Sequence, residues 1–219
     1  MRTHPTRLSV LLALIAPTCV AAQEPATAPG QPGWEELAAR PFPQWFTDAK
    51  LGIFIHWGVY SVPSWSGPEQ YGEWFLRGLQ TGDQPRIAFL RRVYGEDFRY
   101  RDLAPLFRAE LFDPAEWAEL FRAAGARYVV LTSKHHDGFA LWPSEHASAA
   151  RGFAWNAAET GPRRDLVGEL SAAVRGAGLR MGLYYSLPEW NHPVYRWGAE
   201  EPGDVHRYVA EHMVPQFRD

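Results

Sequence analysis

The sequence predicts an α/β protein with a parallel sheet, organised as the first three strands of a (β/α)8 barrel of the TIM type. Three observations carry this. Short apolar runs recur at Leu51–Trp57 (LGIFIHW), Arg127–Ser133 (RYVVLTS) and Leu179–Tyr185 (LRMGLYY), and such runs are typical of parallel strands buried on both faces. Amphipathic helical stretches separate them. Before the second and third strands a helix ends in glycine and a strand starts within a few residues, which is the signature of βαβ units. A complete barrel of this class takes about 250 residues, so three strands amount to an incomplete barrel. A small complete α/β domain is the alternative.

The elements follow in chain order. Arg2 and Arg7 precede an apolar stretch, Leu8–Ile15, and Val20, Ala21 and Ala22 follow as small residues. This order reads as a secretory signal over 1–22, cleaved after Ala22. The stretch is too short to span a bilayer. The single cysteine, Cys19, falls inside the 1–22 segment, so a cleaved protein has no disulfide and no thiolate metal site. Residues 23–33, rich in Pro, Ala and Gly, read as a flexible leader, and the α/β domain occupies 34–219. After the first strand comes an aromatic, proline-bearing loop, Tyr60–Trp74 (YSVPSWSGPEQYGEW). Asp113-Pro114 predicts an N-cap and first helical residue. Trp117, Leu120, Phe121 and Ala124 then share a face, and Gly125 is the stop. Asp165 opens a second helix with Leu166, Leu170, Val174 and Ala177 on one face and Gly178 after it. Val205–Asp219 reads as one more helix, with Tyr208, Val209, Met213 and Phe217 apolar.

Net charge is −3, with no basic run, which excludes nucleic acid as a natural partner. Ten Trp, nine Tyr and twelve Phe make 14% of the chain. That excess fits flat apolar surfaces that stack on a ligand such as a sugar ring, with a Trp-rich core as the alternative. All three strands end in polar or aromatic groups, at His56-Trp57-Gly58, Lys134-His135-His136-Asp137-Gly138-Phe139 and Tyr184-Tyr185-Ser186. In a barrel the carboxyl ends of the strands form the functional face. A lone histidine there reads as a satisfied core residue, whereas three strand ends together read as a site. Glu73 and Trp74, in the loop above the first strand, join the candidates, a rigid aromatic cover being the other reading of that loop. His56, His135, His136 and Glu73 suit zinc chemically. Adjacent histidines on an extended strand, however, point to opposite sides, and no HExxH helix or cysteine pair is present. Asp137 reads as a loop-capping residue and Asp165 as a helix cap.

The runs WFTDAKLGIFIHWGVYSVPSW, YGEWF, ARYVVLTSKHHDGFALWPS, RRDLVGEL and MGLYYSLPEW, in order from Trp45 to Trp190, resemble glycoside hydrolase family 29, the retaining α-L-fucosidases. The resemblance implies a (β/α)8 catalytic barrel, of which 34–219 is the N-terminal part, that hydrolyses terminal α-L-fucose from glycans with retention of configuration. It implies no cofactor. By position, His56, Glu73, Trp74, His135 and His136 match the family's sugar-contacting residues, and one of Tyr184 and Tyr185 matches its tyrosine. A retaining glycosidase needs two carboxyl groups about 5 Å apart. The resemblance puts both beyond Asp219, so the chain is expected to stop before its catalytic carboxylates. Asp137 and Glu189 do not match those positions. The other readings are an inactive truncated product with at most weak fucose binding, and a retaining glycosidase of the same barrel type acting on another sugar.

Overall fold

The protein is described here by a computed structural model covering residues 33–68, 70–201 and 203–219. The expected signal, with Cys19, and the leader up to residue 32 lie outside the described residues. Two compact units divide the chain, Met1–Phe42 and Pro43–Asp219. The described part of the first contains one short helix, α1 (Trp34–Ala38).

The second unit opens with α2 (Gln44–Ala49) and β1 (Gly52–Ile55). The loop after β1 includes a 3-10 turn at Gly72–Trp74 and leads to α3 (Phe75–Gln80), α4 (Gln84–Tyr94) and α5 (Pro114–Ala123). Next come β2 (Tyr128–Lys134), α6 (Glu145–Arg151), α7 (Leu166–Gly176), β3 (Arg180–Tyr185) and α8 (Val205–Tyr208). The strands form one parallel sheet in the order β1-β2-β3. Gly52 faces Tyr128 and Tyr128 faces Arg180, so all three strands run in step toward one end.

The predicted caps hold. Asp113 Oδ1 accepts from the amides of Ala115 and Glu116, and Asp165 Oδ1 from Gly168 N–H at 2.8 Å. At the other ends Gly125 and Gly178 take positive φ. The next residue in each case, Ala126 or Leu179, then donates back to Phe121 O or Val174 O, closing the helix and turning the chain into the strand. Val129 and Leu131 of β2 are fully buried in one core with Ala118 of α5 and Leu166, Leu170 and Val174 of α7. Each of the larger of these side chains contributes about 1.5–3 kcal/mol by leaving water.

Three expectations need correction. Only β2 is buried on both faces; Phe54 of β1 and Leu183 of β3 are 52% and 53% exposed. β1 and β3 are the outer strands of this sheet, so part of their side-chain surface meets no described element. On α5, Leu120 is 64% exposed and Ala124 is also exposed, the fully buried position being Ala118. The segment from Val205 is helical but not uniform. Val209–Met213 forms a π turn in which Val214 N–H reaches back to Val209 O, and a short helix, α9 (Val214–Gln216), follows. Tyr208 is buried there while Phe217 is 58% exposed.

Candidate functional site

The site starts from strand alternation. Phe54 of β1 and His56, the first residue beyond the strand, point to the same side and stack with ring centroids 5.1 Å apart. Thr132 pairs with Tyr184, and the Tyr184 ring reaches both Phe54 (5.7 Å) and His56 (5.8 Å). On β2 the register slips between Thr132 and Lys134. That irregularity ends the alternation before the two histidines, and their rings come to 4.8 Å at 79°. Adjacent histidines therefore converge here because the strand has already broken. His135 lies 5.7 Å from His56 and 6.4 Å from Tyr184.

His136 sits in a stack of rings, with Trp190 at 5.0 Å on one contact and Trp197 at 5.5 Å, inclined by only 21°, on another. Trp74 approaches His136 at 6.2 Å and Trp190 at 5.3 Å. The turn carrying Glu73 and Trp74 is fastened by Arg86, a buried guanidinium whose Nη1 donates to Trp74 O and whose Nη2 donates to Gln70 Oε1 and Tyr71 O. The negative charge of Glu73 is felt at Tyr60, whose hydroxyl is pushed well above its ordinary pKa by burial first, then by Asp137 and Glu73.

The structure thus gathers His56, Trp74, His135, His136 and Tyr184 on one face, with Glu73 in the same turn as Trp74. Tyr185 goes elsewhere. Its hydroxyl donates to Gln216 Oε1, its ring packs 4.6 Å from Phe217, and the Lys134 ammonium lies 4.1 Å above it. The two tyrosines that the sequence leaves undistinguished are separated by β3's own alternation.

Burial, then His136, His56 and Lys134, lower the His135 pKa to about 3. Burial also lowers that of His136, with Lys134 adding to it and Pro188 O and Glu189 opposing. Both rings are neutral at pH 7, each with one N–H donor and one lone-pair acceptor. Around His135 three buried polar atoms, Tyr60 Oη, its own Nδ1 and Trp190 Nε1, have no hydrogen-bond partner among the described residues. Together these groups suit a neutral polyhydroxylated ligand with an apolar face. Among the described residues no group of three His, Cys, Asp or Glu side chains could hold a metal ion.

Sequence reading missed the support beneath this face. Glu189, fully buried, accepts from Lys134 Nζ (2.6 Å), Arg151 Nη2 (2.7 Å) and His212 Nε2 (2.8 Å). Burial pushes the Glu189 carboxyl up, but Lys134 and Arg151, with the His212 hydrogen bond, hold it well below the usual range. Asp137 does cap its loop, accepting from Phe139 N–H (3.1 Å), and it also accepts from Tyr100 Oη (2.7 Å). The one sequence signal for the cluster was a lysine and a glutamate each next to strand-end aromatics, KHH and PEW.

The structure is that of a parallel α/β protein with imidazoles, a tyrosine and indoles gathered at the carboxyl ends of its strands, the end at which α/β sheets of this kind carry their ligand sites. Comparison with known proteins narrows the class: residues 18–219 match the family described as Alpha-L-fucosidase, and the chain belongs to that family of glycoside hydrolases. It is 47% identical over 188 residues to the tissue alpha-L-fucosidase of Rattus norvegicus, covering 86% of this chain and 39% of that one. With the Homo sapiens tissue alpha-L-fucosidase it is 42% identical over 222 residues, covering 100% of this chain and 46% of the relative. The chain therefore spans less than half the length of these curated relatives. Among solved structures it is similar to Thermotoga maritima alpha-fucosidase in complex with fucose, with 47% identity and a TM-score of 0.66 over 72% of this chain and 38% of that one. A family 29 alpha-L-fucosidase from Bacteroides thetaiotaomicron gives 28% identity and a TM-score of 0.60 over 82% of this chain and 38% of that one.

Proposed function

We propose that this chain supplies the fucose-reading part of a retaining α-L-fucosidase, an enzyme that releases terminal α-L-fucose from glycans or glycoconjugates. The observation that carries the reading is the convergence of His56, Trp74, His135, His136 and Tyr184 from separate strand ends and a loop onto one face. Neutral histidines pair with sugar hydroxyls as donor and acceptor, Glu73 accepts from a further hydroxyl, and the indoles meet the apolar C–H face and methyl group. Residues 34–219 act as the first βα units of a (β/α)8 barrel. The described carboxylates nearest the site are unsuited to the double displacement. Glu189 is tied to three donors, and Asp137 is buried against Tyr100. The nucleophile and acid/base of this reading stand on later strands of the barrel. Residues 1–22 act as a cleaved export signal, which places the protein in the periplasm or outside the cell; among the described residues no helix is long and apolar enough to cross a membrane.

The test uses the natural protein as its own cells make it, with aryl α-L-fucoside and aryl β-galactoside as competing substrates. A strong preference for the fucoside, with the α-anomer of fucose formed first in an NMR time course, is expected. Equal or inverted rates would move the assignment to another sugar, and initial release of the β-anomer would remove retention.

A further inference from the structure

Lys134 and Glu189 are fully buried, and neither touches the ring face directly through its charge. Burying ions is costly unless each is paired and hydrogen-bonded, so this cluster needs an account. Its connections supply one. Two short segments are laced together. Glu189 Oε1 accepts from Lys134 Nζ, and Ser186 N–H donates to Lys134 O at 2.9 Å. Two residues further along the first segment, Trp190 N–H donates to His136 O (2.9 Å), and His136 Nδ1 lies 2.8 Å from Pro188 O. The residue between Pro188 and Trp190 is Glu189 itself. Its second oxygen is held by Arg151, whose Nη2 also donates to Asp137 O, the residue after His136. Three donors on three elements thus hold the side chain of the residue whose neighbours on both sides grip His136.

The Pro188 contact fixes a proton. A backbone carbonyl only accepts, so the bond to His136 Nδ1 exists only when Nδ1 carries the hydrogen. In a neutral ring Nε2 is then a bare lone pair. A free imidazole puts its proton preferentially on Nε2, so the protein has to hold the other tautomer in place.

We propose that Glu189 is a positioning residue that holds the Pro188 carbonyl against His136, keeping that ring in the Nδ1–H tautomer with Nε2 as a hydrogen-bond acceptor on the ring face. The use of that acceptor for a sugar hydroxyl rests on the fucosidase reading; the tautomer does not. Glycine at 138 fits the same device. A Cβ there would stand 2.4 Å from Arg151 Nη2 and 2.5 Å from Glu189 Oε2, inside the pairing that locks the clamp.

The experiment reads the ring nitrogens. The natural protein is labelled with 15N-histidine and its imidazole signals recorded at pH 7.5 without sugar, His136 being assigned by its loss in His136→Asn. One protonated Nδ1 signal and one unprotonated Nε2 signal, well separated, are expected. In Glu189→Gln the two signals should move toward each other as the Nε2–H form gains population. Should that variant not fold, Glu189→Gln with Lys134→Met keeps the net charge of the Lys134–Glu189–Arg151 group at +1 and should show the same shift. A proton on Nε2 in the unmodified protein, or an unchanged Nδ1–H pattern in the folded variants, overturns the proposal. A separate titration with fucose distinguishes the two claims: the expected tautomer pattern in a protein that fails to bind fucose upholds the role of Glu189 and removes the fucosidase reading.

Discussion

At His136 the ring is gripped through Nδ1 by Pro188 O and through its flat sides by Trp190 and Trp197, which leaves Nε2 for a ligand. Removing the ring deletes a partner for a substrate hydroxyl and leaves Pro188 O without its donor. His136→Ala should therefore lower kcat/KM on an α-L-fucoside by about 1–3 kcal/mol, roughly 5- to 150-fold. An unchanged kcat/KM would take His136 out of the site. Most of this face was legible at the level of residue type, because polar rings at the ends of apolar strands have few structural uses. The choice between Tyr184 and Tyr185 was not. It depends on which side of β3 faces His56, and that follows from the pairing of Thr132 with Tyr184. Glu189 was less legible still. Its partners Lys134, Arg151 and His212 lie 55, 38 and 23 residues away, and no local pattern announces a buried charge.

The elements themselves were readable where a local rule decides them. The three strands stand within a residue or two of the apolar runs, and Asp113, Asp165, Gly125 and Gly178 end their helices as their chemistry dictates. What depends on neighbours was missed: the exposure of Phe54, Leu183 and Leu120, the π turn after Tyr208, and the slip at the end of β2 that turns His135 and His136 together. The loop after that slip allows a direct comparison of two glycines, both with positive φ. Gly152 ends α6 at φ 71° with nothing within 4 Å of an added Cβ, whereas Gly138 at φ 79° faces the Glu189–Arg151 pair. Gly152→Ala should cost only the strain of the left-handed conformation, about 1–2 kcal/mol. Gly138→Ala adds a clash with two buried, mutually bonded groups, and should cost at least about 2 kcal/mol more by the usual range for overpacking. Urea unfolding of the two variants checks this. Equal losses would mean that the clamp yields freely and does not hold the loop.

For the whole molecule, the buried titratable groups set how stability changes with pH. Burial first, with neighbouring positive charge, lowers His135 to about 3 and His192 to about 4. His192 also uses Nδ1 to accept the Val194 amide (3.2 Å), a bond that a protonated ring could not make. An unfolded histidine titrates near 6.5. Between about 6.5 and 4 the unfolded chain therefore binds two protons that the folded protein refuses, and stability falls as pH falls. From pH 7.0 to 5.5 these two rings together should remove about 2.5 kcal/mol, and His136, which burial also lowers, adds to the loss in the same direction. Glu189 acts in the same direction lower down: its folded pKa is depressed, so its contribution is complete above the ordinary glutamate range and is lost progressively as pH falls from that range down through the depressed folded value. Asp137 opposes both, because burial raises its pKa despite the bonds from Tyr100 and Phe139, and the folded state takes up its proton first. The histidine component is separable. In His192→Asn the amide oxygen can accept from Val194 N–H but does not titrate, so the drop between pH 7.0 and 5.5 should shrink by about 1.3 kcal/mol, while the value at pH 7.0 changes less. Urea unfolding at the two pH values measures both quantities. A stability that stays flat from 7.0 to 5.5 in the unmodified protein would show that His135 and His192 protonate inside the fold, and an undiminished drop in the variant would place the acid sensitivity on groups other than His192.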